Sequence, residues 1–249
     1  MSGAPPDTCS SPYRVRFDEA GPDGLLRTSV LLRYAQDLAW FHSAQRGFDR
    51  AWYAARRLAW LVRAAEVAVL APVETGAALV GTTQVVGWRR VWARRRTEFR
   101  DAADGLVGWT HIDWVLLDAR GAPTRIPPEF GGFGARETVV QLARVDLPEP
   151  PSDAVRGAFR VRPQELDPMA HANNAVYADW LEEAVLAAGD ESAVRTIPRL
   201  ARLEYARAAE PGVDLAGTAW QDAGGWSFRL SDAGGTELLR ARLEPGAPA

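Results

Sequence analysis

The 249-residue chain contains no lysine; all 29 of its basic side chains are arginine. That bias speaks of the base composition of the gene more than of mechanism. The single cysteine, Cys9, excludes an internal disulfide and any cysteine metal cluster. Its setting in the Pro/Ser-rich stretch MSGAPPDTCSSP reads as a flexible leader over residues 1–12, a poor place for a catalytic thiol. The three histidines, His42, His111 and His171, show no metal-ligand spacing, and no cofactor is expected. No apolar run approaches the roughly 18 residues of a membrane span. Residues 1–12 also lack the charged and then apolar pattern of a secretory signal, so a cytoplasmic protein is expected. A formal net charge of -3 gives no reason to expect nucleic acid.

What is present is apolar bulk: 47% hydrophobic residues and ten tryptophans, enough for one large domain or two small ones. Sliding the chain along itself by 146 positions lays 13-YRVRFDEAGPDGLLRTSVLLRYAQD-37 over 159-FRVRPQELDPMAHANNAVYADWLEE-183 without a gap. Six of the twenty-five positions are identical: Arg14/Arg160, Val15/Val161, Arg16/Arg162, Glu19/Glu165, Pro22/Pro168 and Val30/Val176. Each copy reads as a short alternating strand, a Gly/Pro/Asp loop and a long apolar helix. The first helix, near 28–45, is apolar on most sides, through Val30, Leu31, Leu32, Tyr34, Leu38, Trp40 and Phe41, so something must wrap it. In the second, Tyr177, Trp180, Leu181, Ala184 and Ala188 recur at three- and four-residue spacing.

Strand-like segments follow each helix: 59–70, 77–88, 91–99 and 106–118, then 200–208, 213–222, 225–232 and 236–244. Turn signals such as DAADG, DAGG and DARGAP punctuate them. Residues 123–134 and 147–154 read as linker, giving a first domain over 13–146 and a second over 147–249. The expected class is α+β, each copy a long helix wrapped by an antiparallel sheet.

One cluster stands out within 167-DPMAHANNAVYADWLEEA-184. Asp167, His171, Asn173 and Asn174 crowd the mouth of the second helix. A carboxylate there serves as general base or nucleophile, and first-turn amides hold an oxyanion. The plainer reading of Asn174 is a helix N-cap. In the first copy the same positions are Gly21, Leu25, Arg27 and Thr28, so only the second copy carries the chemistry. The basic run 89-RRVWARRR-96 reads as a strand with alternate arginines facing water, or as a docking patch of Arg89, Arg90, Arg94 and Arg95 for an acidic partner.

The order of strand, loop, wrapped helix and antiparallel sheet, present twice, resembles a tandem hotdog. The stretches RYAQDLAWFHSAQRGF, LAWLVRAAEV, RRTEFRD, WTHIDWVLLDARGAPTRIPPEF, D-x-x-x-H-x-NN-x-x-Y-x-x-W and 203-LEYAR-207 resemble the acyl-acyl-carrier-protein thioesterases from about Val15 to Leu243. The resemblance implies hydrolysis of fatty or polyketide acyl thioesters on a phosphopantetheine carrier protein. It also implies catalysis by Asp167 with His171 and a helix-end oxyanion hole at Asn173 and Asn174. His42 matches a family position in the first helix. The tryptophans of the first copy read as core residues, or some of them line an acyl or aromatic-polyketide tunnel.

Two departures from the family pattern are visible. The family's D-x-N-x-H has Met169 in place of its Asn, and a thioether cannot donate an amide's hydrogen bond. The Glu and Cys that follow LEY in plant members are here Ala208 and Ala209; the nearest carboxylate is Glu210, on the same strand face if the strand runs that far. The rival readings are an acyl-CoA thioesterase of hotdog type and a non-hydrolytic hotdog protein, either a dehydratase or hydratase or an acyl-binding protein. A monomer or a homodimer fits equally.

Overall fold

The computed structural model describes residues 7–133 and 142–247. Its first half runs β1 (Thr8–Arg14), α1 (Thr28–Gln45), α2 (Arg50–Arg56), β2 (Ala59–Val69), β3 (Ala78–Arg89), β4 (Trp92–Asp101) and β5 (Leu106–Leu117). The second runs β6 (Val155–Arg160), α3 (Val176–Ala187), α4 (Glu191–Arg195), β7 (Arg199–Tyr205), β8 (Asp214–Asp222), β9 (Gly225–Asp232) and β10 (Glu237–Pro245). All ten strands form one antiparallel sheet in the order β1-β3-β4-β5-β2-β7-β10-β9-β8-β6. Read from its two edges inward, each half repeats the same order, and the halves join where β2 pairs with β7, from Ala64↔Glu204 to Val69↔Arg199.

The sheet curls around two helices that lie side by side. In α1, Leu31, Leu32 and Leu38 are at most 2% exposed, each contributing about 1.5–3 kcal/mol by leaving water. In α3, Tyr177, Leu181 and Val185 are equally buried. The helices run antiparallel, tied by Thr28 to Glu182, Arg33 to Asp179 at 2.9 Å and Asn173 to Gln36 at 3.1 Å. One continuous apolar cluster spans both halves, which is why a single large sheet is stable here.

Four expectations need correction. Thr8–Pro12 is not leader: it is paired with β3, and Cys9, opposite Thr83, is 5% exposed. The helix α1 is not wrapped along its whole length, since Trp40 and Phe41 near its end are about half exposed. The 123–134 stretch is more than linker, because Phe130 and Phe133 fold back and stack on Phe48 at 4.2 and 5.6 Å. The short helices α2 and α4 were not anticipated, although Asp49 and Asp190 cap them, accepting from the amides of Trp52 and Ala193. No helix among the described residues is long and apolar enough to cross a membrane.

Candidate active site

The turn holding Asp167 is a backbone copy of a turn in the first half. Gly21 N–H donates to Leu25 O at 2.8 Å, and Asp167 N–H donates to His171 O at 2.8 Å. Gly24 N–H reaches Gly21 O, as Ala170 N–H reaches Asp167 O. Arg27 N–H reaches Glu19 O, as Asn173 N–H reaches Glu165 O. The glutamates are equivalent too: Glu19 accepts from Arg16 N–H and Glu165 from Arg162 N–H. Every pair is separated by 146 positions, the offset of the sequence repeat. Duplication therefore supplied the scaffold, and the second copy placed a carboxylate on it.

The left-handed position of the turn makes the same point. Gly24 holds φ 77° without strain, but Ala170 holds φ 61° with a Cβ. Asp167 compensates. Its Oδ1 accepts the amides of Met169 at 2.8 Å and His171 at 3.2 Å, while its Oδ2 accepts no hydrogen bond from a described residue. One oxygen is thus fixed and the other uncommitted, on a residue only partly exposed.

The neighbours divide the remaining roles. Neither asparagine caps α3 by its side chain, the N-cap being Ala175; Asn173 closes an Asx-turn just ahead of the helix, its Oδ1 accepting Ala175 N–H at 2.9 Å while its Nδ2 donates to Gln36 of α1. The cap-like role expected for Asn174 is corrected accordingly. Asn174 gives its carbonyl to the Tyr205 hydroxyl at 2.9 Å, and neither its N–H nor its side chain is bonded to a described residue. An unspent amide at a helix N-terminus is what an oxyanion needs. The amide of Ala175, at the N-cap, is already occupied by Asn173. The imidazole of His171 is exposed and makes no hydrogen bond to Asp167; its backbone holds the turn. The Met169 thioether is 60% exposed, so this residue too contributes through its amide.

Behind the turn, Tyr177 is 1% exposed and accepts Ala209 N–H at 2.7 Å. Burial pushes its phenol up to about 12 against the Ala209 hydrogen bond, with the charge of Asp167 adding to the effect. Ala209 O in turn receives Ala172 N–H, so the stretch after β7 does pack on the Asp167 turn. It brings backbone there and no nucleophile. Glu210 is exposed, and β7 ends at Tyr205, so the strand-face argument for Glu210 fails.

The arginine run alternates as a strand should, with an outcome unlike a docking patch. Arg94 is clamped on both nitrogens at 2.7 Å by the buried Asp113, and Arg95 points inward, 6% exposed. Only Arg89 and Arg90, in the β3–β4 turn, are exposed. Arg90 lines an open cleft of about 480 Å³ with Trp88, Arg125 and Ile126. His42 is buried, its Nδ1 3.0 Å from Arg95 and its ring edge-on to Phe133. His111 pairs with Arg96 and Glu66 on the other face of the sheet. Among the described residues no three His, Cys, Asp or Glu side chains converge as metal ligands.

The acyl-ACP thioesterase N-terminal domain model matches residues 6–131, and the C-terminal domain model matches residues 149–235. Among solved structures, the chain is similar to a putative oleoyl thioesterase from Lactobacillus plantarum, with a TM-score of 0.83, 17% identity and 97% of each chain covered. It is also similar to the 12:0-ACP thioesterase from Umbellularia californica, with a TM-score of 0.81, 21% identity, and 97% of this chain and 98% of that one covered. An acyl-ACP thioesterase from Bacteroides thetaiotaomicron superposes at a TM-score of 0.81 with 14% identity, over 96% of this chain and 97% of that one. No curated protein matches the sequence.

Proposed function

The chain belongs to the acyl-ACP thioesterase family, enzymes that hydrolyse acyl-carrier-protein thioesters to the free acid, and we propose that Asp167 supplies the carboxylate for that hydrolysis. The carrying observation is the asymmetry of its two oxygens: Oδ1 is anchored by two amides and Oδ2 is uncommitted. Oδ2 takes a proton from water as the water oxygen attacks the thioester carbonyl carbon. The oxyanion settles against Asn174 N–H at the positive end of α3. Collapse of the tetrahedral intermediate breaks the C–S bond. The phosphopantetheine thiolate leaves and recovers a proton from Asp167, or from His171 at the mouth. A thiol of pKa near 8.5 leaves readily, so no strong acid is needed.

The acyl chain lies in the first half, between α1 and the sheet. Asn173 ties the catalytic turn to Gln36, so the scissile carbonyl opens beside α1 rather than beneath α3. The division of labour follows, with residues 13–146 holding the acyl group and residues 147–249 the chemistry. The acidic carrier protein is steered by Arg90 and Arg125, both exposed at the cleft. Such a substrate, of fatty or polyketide origin, puts the enzyme in the cytoplasm. Turnover of matched acyl-carrier and acyl-CoA thioesters, followed by thiol release, tests the scheme; undiminished release by Asp167→Asn would refute it.

A further inference from the structure

We infer that the acyl group hydrolysed here carries an acceptor oxygen, an oxo group or a carboxylate, remote from the thioester, received by Arg95, Thr110 and Trp114 inside the first half. The inference rests on the reading that the acyl chain lies between α1 and the first-half sheet.

The two halves share a fold but differ in how their buried polar groups are met. In the second half the inner faces carry Phe159, Leu215, Phe228, Leu230, Leu239 and Leu243, and the buried Arg199 on β7 is bonded to Thr28 and paired with Glu182. In the first half, polar side chains cross four adjacent strands in register, Cys9↔Thr83, Thr83↔Thr97 and Thr97↔Thr110, each 5% exposed or less. Two residues further along β4, on the same face, is Arg95.

Arg95 is a buried cation without a carboxylate among the described residues. Its contacts are His42 Nδ1 at 3.0 Å and the Phe133 ring at 5.8 Å. Burial lowers its pKa to about 10, which still leaves it charged at neutral pH. A desolvated charge left in that state is strongly unfavourable unless something meets it. Opposite Arg95 on β5 is Ile112, and on either side of Ile112, along the same face, are Thr110 and Trp114. Thr110 Oγ1 and Trp114 Nε1 are both buried with no hydrogen-bond partner among the described residues. Proteins pair more than nine in ten such groups, and two adjoin a buried cation that has no carboxylate among the described residues.

All three groups can donate, and Arg and Trp can only donate, so the missing complement is an acceptor. A plain alkyl chain would leave Thr110 Oγ1 and Trp114 Nε1 unpaired and the Arg95 charge without an anion. Their position suits the far end of an acyl group. His42, which touches Arg95, is six residues beyond Gln36 on α1, about 9 Å along the axis from the level of the catalytic turn.

The test uses carrier-linked thioesters of equal chain length: saturated, remote-oxo and terminal-carboxyl. Isothermal calorimetry of the corresponding free acids runs beside them, independent of turnover. The wild type is expected to favour one oxygenated series by at least about tenfold in kcat/KM, as a site built around donors does. The same acid should bind more tightly, and the arm that wins identifies the oxygen. Arg95→Met should collapse the preference. Thr110→Val and Trp114→Phe keep the shape, remove the hydroxyl or the indole N–H, and give the same reading if Arg95→Met fails to fold. Equal or faster hydrolysis of the saturated chain by the wild type, with no preference in calorimetry, overturns the inference. Absence of turnover on every thioester counts against the thioesterase mechanism instead; the calorimetric preference then decides the inference alone.

Discussion

Asp167 occupies the place in its turn that Gly21 holds in the first half: both amides donate at 2.8 Å to the carbonyl four residues on. The carboxylate was set on a backbone already formed elsewhere in the chain without a catalytic role. By holding Met169 and His171 N–H, the proposed base is also a brace of its own turn.

Asp167→Asn preserves the brace, since the amide oxygen still accepts, but removes the base. A fall in kcat of about 10²–10⁴ with an almost unchanged Tm is expected. Asp167→Gly, the first-half residue, should lose stability as well. Thermal melts beside steady-state kinetics separate the two.

Ala170 holds a left-handed conformation that costs an L-residue about 1–2 kcal/mol. Glycine relieves that strain but adds about 0.4–1 kcal/mol of unfolded-state entropy. Ala170→Gly should therefore leave the protein as stable or up to about 1 kcal/mol more so, read from urea unfolding. A clear loss of stability would mean the turn is not strained.

The two asparagines should part company. Asn173→Ala removes the Asx-turn bond from Ala175 N–H and the tie to Gln36, costing about 1 kcal/mol or more. Asn174→Ala touches neither and should leave Tm within a degree or two. Asn174→Pro, which deletes the free N–H, should depress kcat rather than raise KM if that amide meets the oxyanion.

Acid should unfold the second half through Asp222. Burial opposes its ionisation, but hydrogen bonds from Arg242, Ser227 and Gly224 N–H win and hold it down at about 2. The folded pKa is below the unfolded value near 3.9, so the stabilisation is full above about pH 4. It is lost as pH falls toward 2 and amounts to on the order of 2 kcal/mol. Urea midpoints between pH 5 and pH 2 should drop more steeply for the wild type than for Asp222→Asn.

Carrier recognition can be separated from chemistry by charge reversal. Arg90→Glu with Arg125→Glu should raise KM for carrier-linked substrates several-fold at low salt and leave acyl-CoA turnover unchanged. The difference should shrink as ionic strength rises.

Helices, strands and the duplication were legible in the sequence because they rest on local period: alternation in YRVRF, three- and four-residue spacing in 177–188, an offset of 146. The polar cluster was legible because its residues are neighbours along the chain. What each does was not. Asn173 rather than Asn174 is tied to α1 because Gln36 lies across the helix pair, a contact 137 positions away. The run Arg94–Arg95–Arg96 shows that alternate residues face opposite ways, but not which way is in. Only the curl of the sheet around α1 turned Arg94 to Asp113 and sealed Arg95 against His42. Cys9 reads as leader in the sequence because a single edge strand carries too little pattern until β3 pairs with it. Sequence determined the elements and the chemistry available to them; packing over long separations decided which side chains are braces, which are free to react, and which face the substrate.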